Sequence, residues 1–312
     1  MKRRTSLIYL FFALILLPAT QFRLQAQQRS TDQPAKLEEE KVVLDFQIKR
    51  KGKFVGGLKK EDLYVYEDDA KQEITQFGEG DPPLSLVLLL DLSNSMKRSV
   101  RHVRDNAQQI VQGLDPEDEA AVMMFATDVV LAQRFTRNKQ QIANAIGQAP
   151  DPGGYTTLNR ALKEAATYLT NSATRGNRRV MIVFTDDEDT ASSPDSVKQA
   201  SRAIFNAGII VCGFIVRVPS RLSDQLSEGV VARFVRQTAG SASFFDEQRL
   251  GEQMSNVVKS LHRRYVIEYV SSNPNHNGEF RRIRVKVSPD VEKKEGKLSI
   301  LTREGYFAPA RQ

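Results

Sequence analysis

The sequence contains very little cysteine and histidine. Cys212 is the only cysteine among 312 residues, so no intramolecular disulfide can form. It lies within the apolar run 209–216, which predicts a buried strand, and no sequence neighbour would activate its thiol. The three histidines, His102, His262 and His276, show no metal-ligand spacing. These scarcities exclude a disulfide scaffold and disfavour a reactive thiol or a histidine-rich metal site.

A large excess of positive charge is also missing. The full sequence has 45 Lys and Arg against 38 Asp and Glu, a formal charge of +7. Four of these basic residues lie within residues 1–26, which contain no acid, so residues 27–312 hold 41 basic against 38 acidic residues, or +3. The remaining charge is dispersed and forms no basic stripe interleaved with aromatic side chains. The sequence therefore predicts no binding to nucleic acid.

Residues 1–26 have the pattern of a secretory signal peptide. Lys2, Arg3 and Arg4 precede an apolar run over residues 7–17, and Ala26 occupies a small-residue cleavage position. The apolar run is short against the roughly 20 residues that span a bilayer. We therefore expect an exported protein, periplasmic or extracellular, with no stable membrane span after cleavage.

The next residues divide into a polar linker and a β-rich segment. Residues 27–39 have linker composition. In residues 40–79, the apolar residues Val42, Leu44, Phe46 and Ile48 alternate with less apolar ones, which predicts a half-buried strand. The chain becomes β-rich again over residues 265–312. Neither segment can bury much apolar surface alone, so we expect them to pair as one flanking β-sandwich.

Residues 80–264 alternate between apolar runs and helical patterns. Short apolar runs predict buried strands at residues 84–90, 120–125, 180–185, 209–216 and 242–245. Helices are predicted at residues 100–114, 139–149, 159–170, 193–207, 229–238 and 250–264. Residues 129–135 follow the second strand too closely for a helical crossover and are predicted to form an antiparallel edge strand. The alternation predicts a doubly wound α/β domain with a mostly parallel, Rossmann-like sheet.

Side chains with oxygen donors follow the first buried strand. Asp91, Ser93 and Ser95 leave this strand together and supply one carboxylate and two hydroxyls within a single short loop. Ligand sites in open α/β sheets form beyond the carboxyl ends of the strands. Hard oxygen donors suit Mg²⁺, Mn²⁺ or Ca²⁺, so this loop is a candidate cation site.

Two further loops are expected at the same edge of the sheet. One contains Thr156 and Thr157 after a pair of glycines, and the other contains Asp186 at the end of the strand 180–185. Together the three motifs resemble the metal-ion-dependent adhesion site of the von Willebrand factor type A family. The motifs are Asp-x-Ser-x-Ser at residues 91–95, Gly-x-Thr-x-Leu-x-x-Ala-Leu at 154–162, and an apolar strand that ends in Thr-Asp at 185–186.

The resemblance covers about residues 80–265 and implies a set of ligands. Ser93 and Ser95 match the hydroxyls that bind the ion directly, whereas Asp91 and Asp186 match carboxylates that act largely through water. Thr156 matches the remaining hydroxyl, with Thr157 as the alternative. The cation implied is Mg²⁺, or else Mn²⁺ or Ca²⁺.

The chain departs from the family pattern after Asp186. The family usually has Gly at the position of Asp187, and Asp187, Glu188 and Asp189 place three acids in succession. We expect this charge either to tighten cation binding or to discourage an acidic partner. The β-rich leader and the aromatic-Pro motif at residues 305–309 also resemble bacterial exported proteins of the family.

The resemblance implies a metal-dependent protein-binding or adhesion module rather than an enzyme. Neutral hydroxyl ligands leave the cation much of its charge, so it can coordinate an Asp or Glu of a partner protein. One alternative is an envelope scaffold with a purely structural metal. The other is a Mg²⁺-dependent phosphohydrolase with Asp91 as phosphoryl acceptor, but Ser93 stands where such enzymes have a second Asp.

Overall fold

The structure is a computed structural model that describes residues 40–216, 229–246 and 248–310. The predicted signal peptide and the predicted linker lie outside the described residues. Within the described part of the chain, no helix is both long and apolar enough to cross a membrane.

The described residues form fifteen strands and eight α-helices. The strands are β1 (Lys41–Arg50), β2 (Lys53–Phe54), β3 (Leu63–Glu67), β4 (Ala70–Gln72), β5 (Ile74–Gly80), β6 (Leu84–Asp91), β7 (Glu119–Phe125), β8 (Val129–Thr136), β9 (Arg178–Thr185), β10 (Ile210–Ile215), β11 (Ala242–Phe244), β12 (Arg264–Val270), β13 (Phe280–Val287), β14 (Ser299–Thr302) and β15 (Gly305–Phe307). The helices are α1 (Lys97–Asp105), α2 (Ala107–Gln112), α3 (Lys139–Gly147), α4 (Leu158–Ser172), α5 (Pro194–Asn206), α6 (Val230–Gln237), α7 (Leu250–His262) and α8 (Pro289–Glu295).

The central sheet has the strand order β11-β10-β9-β6-β7-β8. Every pair in it is parallel except β7 with β8, which is antiparallel at the edge. Every residue of β6 is buried because helices cover both faces of the sheet. The predicted doubly wound α/β fold is therefore confirmed, including its antiparallel edge strand.

The flanking sheets combine strands from both ends of the described chain. In one sheet β1 pairs antiparallel with β12 and β14, and in the other β3 pairs antiparallel with β13. A single apolar cluster includes Phe46 and Tyr269 from the first sheet together with Val65 and Val285 from the second. The predicted β-sandwich of N-terminal and C-terminal segments is therefore confirmed.

Two helical predictions were wrong. The helix expected over residues 100–114 is interrupted at Asn106 and forms α1 and α2. We also expected no helix after Arg264, yet α8 lies between β13 and β14. Its start and end follow ordinary capping rules, because Ser288 accepts a hydrogen bond from the Val291 N–H at 3.4 Å and Gly296 follows the helix at φ 73°.

A buried ion-pair cluster joins the central domain to the sandwich. Asp45 of β1 accepts hydrogen bonds from the Nε of Arg178, at 2.6 Å, and from the Nε of Arg264. The two guanidinium side chains are only 2% and 1% exposed. Arg178 begins β9 and Arg264 begins β12, so one carboxylate stabilises two buried cations from different sheets.

We predict that Asp45→Ala strongly destabilises the protein. The substitution leaves two buried guanidinium groups without a counter-ion, and breaking such a pair costs about 3–5 kcal/mol. Urea unfolding followed by circular dichroism measures the loss. The control is Asp128→Ala, which removes a carboxylate that is 79% exposed and pairs with the partly exposed Arg160. The control should change the free energy of unfolding by no more than about 0.5 kcal/mol, and equal losses would contradict the account.

Candidate metal centre

The first loop of the predicted site begins at the end of β6, the strand between β7 and β9. Asp91 is the last residue of β6 and is 1% exposed. Its Oδ1 accepts a hydrogen bond from the Ser93 N–H at 2.9 Å, and its Oδ2 accepts one from the Thr185 hydroxyl at 2.7 Å. Asp91 therefore links its own loop to the end of β9.

Ser93 and Ser95 place their hydroxyls side by side in this loop. The two Oγ atoms are 3.1 Å apart, and Ser93 is buried whereas Ser95 is exposed. Adjacent oxygen ligands of an octahedral ion with metal–oxygen bonds of about 2.1 Å lie about 3 Å apart. The observed separation therefore fits a small hard cation bound between the two serines.

The second loop connects the end of α3 to α4 and is tied to the first. The Gly153 N–H donates to the Leu92 carbonyl at 2.8 Å, and the Asn94 side chain donates to the Gly154 carbonyl at 3.2 Å. Gly154 has φ 82°, and a Cβ there would lie 2.5 Å from the Thr127 hydroxyl. Glycine is required here because of both the backbone angle and the close approach.

The two threonines of this loop have different surroundings. The Thr157 hydroxyl donates to the Ala126 carbonyl at 2.8 Å and so serves to attach the loop to the end of β7. Thr156 is held through its backbone, because its N–H donates to the Thr190 hydroxyl at 3.0 Å. Within the described residues, the Thr156 hydroxyl makes no hydrogen bond, so it is available to a ligand.

Asp186 begins the third loop, directly after β9. It is 5% exposed, and its Oδ1 accepts a hydrogen bond from the Glu188 N–H at 3.3 Å. The Thr185 hydroxyl bonded to Asp91 also accepts from the Asp187 N–H at 3.0 Å. The hydrogen bonds made by Thr185 and Thr190 between loops were not anticipated from the sequence, because nothing in the pattern distinguishes these hydroxyls from solvated ones.

Two of the three consecutive acids cap helices. Asp187 accepts hydrogen bonds from the N–H groups of Val231, at 2.6 Å, and Ala232, at 3.1 Å, at the start of α6. Asp189 accepts from the N–H of Asn159, at 2.7 Å, at the start of α4. Backbone N–H groups and the helix dipole offset these two charges. The added negative charge expected near the site is therefore partly offset by two helix starts.

Burial sets the acidity of the buried carboxyls. It raises the pKa of Asp91 to about 6, although hydrogen bonds from Ser93 and Thr185 favour the ionised form. Burial likewise raises the pKa of Asp187 to about 6, although hydrogen bonds from the N–H groups of α6 favour its ionised form. For Asp189, burial acts in the same direction, but hydrogen bonds from Asn159 and Ser192 outweigh it and lower the pKa.

The backbone of Asp187 suits the glycine that the resemblance implies at this position. Its φ is 66°, the left-handed region that glycine adopts without cost. The capping role compensates for this conformation. The carboxylate also needs Gly229, where a Cβ would lie 1.7 Å from the Asp187 Oδ2.

We predict a defined stability order for substitutions of Asp187. Asp187→Ala loses the cap and keeps the positive φ, so it should cost about 1–2 kcal/mol for the cap and about 1 kcal/mol more for the backbone. Asp187→Gly loses only the cap, and Asp187→Asn should be the mildest because an amide oxygen still accepts hydrogen bonds. Urea unfolding of the three variants measures the order. A glycine variant as stable as the parent would contradict the capping role.

The central domain is an open α/β domain with oxygen-bearing side chains gathered at the carboxyl edge of its sheet. The family model of the von Willebrand factor type A domain matches residues 85–258, more than half of the chain, and the chain belongs to this family. Domains of this family are generally protein-interaction modules rather than enzymes, and they commonly bind a divalent cation at this edge.

Solved structures of the same type resemble the chain at low identity. A von Willebrand factor type A protein from Catenulispora acidiphila is 12% identical with a TM-score of 0.49, covering 81% of this chain and 74% of that one. The conserved hypothetical protein BatB from Bacteroides thetaiotaomicron is 18% identical with a TM-score of 0.44, covering 57% of this chain and 98% of that one. Proximal thread matrix protein 1 from the mussel byssus is 16% identical with a TM-score of 0.47, covering 58% of this chain and 47% of that one. No curated protein matches the chain.

Proposed function

We propose that this chain is an exported binding protein that holds one Mg²⁺-like cation and uses it to bind an acidic group of a partner protein. The proposed ligands are Asp91, Ser93, Ser95, Thr156 and Asp186. Mn²⁺ and Ca²⁺ are the alternative ions. In this proposal residues 1–26 direct export, residues 27–39 form a linker, residues 80–264 form the binding domain, and residues 40–79 and 265–312 support it.

The observation that carries the proposal is that the carboxylate of Asp91 is already hydrogen-bonded within the protein, whereas the nearby hydroxyls can bind an ion. Both oxygens of Asp91 already accept protein hydrogen bonds, whereas Ser93 and Ser95 have adjacent hydroxyls and the Thr156 hydroxyl makes no bond in the described residues. An ion bound chiefly by neutral hydroxyls keeps much of its positive charge. An incoming carboxylate would then gain a charge-assisted bond to the ion.

The surface beside the proposed site suits a protein partner. Tyr155 precedes Thr156 in the chain and is 69% exposed, which is unusual for a large aromatic side chain. Exposed aromatic residues are enriched at protein interfaces. The acids of the third loop support the same function, since Asp187 and Asp189 are bonded to helix starts and oppose an acidic partner less than free carboxylates would.

We predict that Thr156→Ala and Thr157→Ala separate ion binding from loop attachment. Thr156→Ala removes a proposed ligand, so Mn²⁺ affinity measured by calorimetry should fall while the protein stays folded. Thr157→Ala removes a hydrogen bond to Ala126 and should lower stability by about 1 kcal/mol while Mn²⁺ still binds. Ser93→Ala combined with Ser95→Ala should abolish Mn²⁺ binding at this loop. Loss of binding in Thr157→Ala with full binding in Thr156→Ala would refute the ligand assignment.

We also predict that the bound ion accepts an external carboxylate. Acetate added to the Mn²⁺-loaded protein should displace a metal-bound water and lower the water proton relaxation rate. Acetamide, of similar size but uncharged, is the matched control and should have little effect. An unchanged relaxation rate with acetate would show that no coordination position is open to a partner, which is the behaviour of a purely structural metal.

A further inference from the structure

A second group of ligand side chains lies at the opposite edge of the central sheet. His262 ends α7, and its Nε2 is 3.1 Å from the Asp118 Oδ2 and 3.5 Å from the Asp115 Oδ2. The potential ligand atoms of these three residues all lie within 4.8 Å of one another. Asp118 immediately precedes β7, so this group is separated from the loop of Ser93 by the length of the strands, roughly 25 Å.

The distances suit a metal ion. A tetrahedral first-row dication has bonds of about 2.0–2.2 Å to nitrogen and oxygen, so its neighbouring ligand atoms lie about 3.3 Å apart. The distances from His262 Nε2 to the two carboxylates lie on either side of this value. The other ring nitrogen, Nδ1, lies 2.8 Å from the Asp81 Oδ1. A carboxylate on the second nitrogen is the usual partner of a metal-bound imidazole, because it leaves Nε2 with the lone pair.

The group carries an excess of negative charge, which would attract a cation. Asp81, Asp115 and Asp118 surround one imidazole, and no Lys or Arg in the described part of the chain forms an ion pair with these three carboxylates. The Asp118 side chain is 0% exposed and the His262 side chain 9% exposed. Even a protonated His262 would leave two negative charges unbalanced. The buried Asp118 also accepts hydrogen bonds from the N–H groups of Leu84 and Asp115, each at 2.8 Å, whereas the Asp81 and Asp115 side chains are 62% and 64% exposed. The excess negative charge of the group therefore attracts a cation, and the exposed carboxylates can reach it.

The group is also accessible from solvent. A cavity of about 950 Å³ lies beside it and is lined by Asp81, Asp115 and His262 together with residues of α2 and α7 such as Gln109 and Ser255. An ion could enter through this cavity. Water in the cavity could supply a fourth ligand.

We propose that His262, Asp115 and Asp118 form a second divalent cation site, with Asp81 orienting the imidazole. One nitrogen and two carboxylate oxygens favour Zn²⁺ or a similar first-row ion over Mg²⁺. An ion at this site would connect the end of α7 to the loops that precede β6 and β7. It does not depend on the proposed function, because it shares no residue with the oxygen site at the other edge.

The test uses the full chain with Ser93→Ala and Ser95→Ala, which removes the first site. This protein should bind one equivalent of Zn²⁺ by calorimetry at pH 8, and Co²⁺ should give the visible absorption bands of a tetrahedral site. Adding His262→Gln or Asp115→Asn should weaken Zn²⁺ binding at least tenfold and abolish the Co²⁺ bands. The matched control is Glu117→Gln, which removes an acid from the same loop and should leave both signals unchanged.

Several results would overturn the proposal. They are the absence of stoichiometric Zn²⁺ binding in the parent, undiminished binding in Asp115→Asn, or an equal loss in Glu117→Gln. The Asp115 side chain is 64% exposed, so Asp115→Asn keeps the test valid should His262→Gln fail to fold. In the protein with both serines intact, His262→Gln should leave Mn²⁺ binding at Ser93 and Ser95 unchanged, which separates failure of one site from failure of the other.

Discussion

The hydrogen bonds to the buried carboxylate of Asp91 fix the relation between the loops of the proposed binding site. One oxygen accepts from the Ser93 backbone and the other from the Thr185 hydroxyl, so the ends of β6 and β9 cannot separate without leaving a buried carboxylate unpaired. Burial also raises the pKa of Asp91 to about 6. A cation beside it would offset this desolvation, which couples the proposed ion to the geometry of both loops.

The direction of the parallel strands explains why the two candidate ligand groups lie at opposite ends of the strands. The five parallel strands of the central sheet present their carboxyl ends to one side, where hydroxyls and carboxylates leave β6 and β9. Their amino ends lie at the other side, where Asp118 contacts His262. The sandwich is attached at the amino edge through Asp45, Arg178 and Arg264. The amino edge is therefore the one fixed to the supporting sheets, and the proposed partner site lies at the opposite edge.

Local patterns predicted most of the fold and the first loop. The apolar run that becomes β6 is a local signal, and the strand is found as expected. The spacing of Asp91, Ser93 and Ser95 is also local, and the structure places the hydroxyls of Ser93 and Ser95 side by side. The role of Asp187 was not predictable, because its hydrogen-bond partner Val231 lies 44 residues later in the chain. The contact of His262 with Asp81 was not predictable for the same reason, since Asp81 lies 181 residues before it and no sequence spacing relates them. Contacts of this kind depend on the tertiary fold.

The central claim is that a metal ion on the serine loop has an outer face open to a partner. A crystal structure of the Mn²⁺-soaked protein, with anomalous scattering to locate the ion, tests this most directly. The account predicts a peak within bonding distance of the hydroxyl oxygens of Ser93 and Ser95, with water alone on its solvent side. A peak whose outer face is filled by a carboxylate of this same chain, or no peak at these serines, would contradict it.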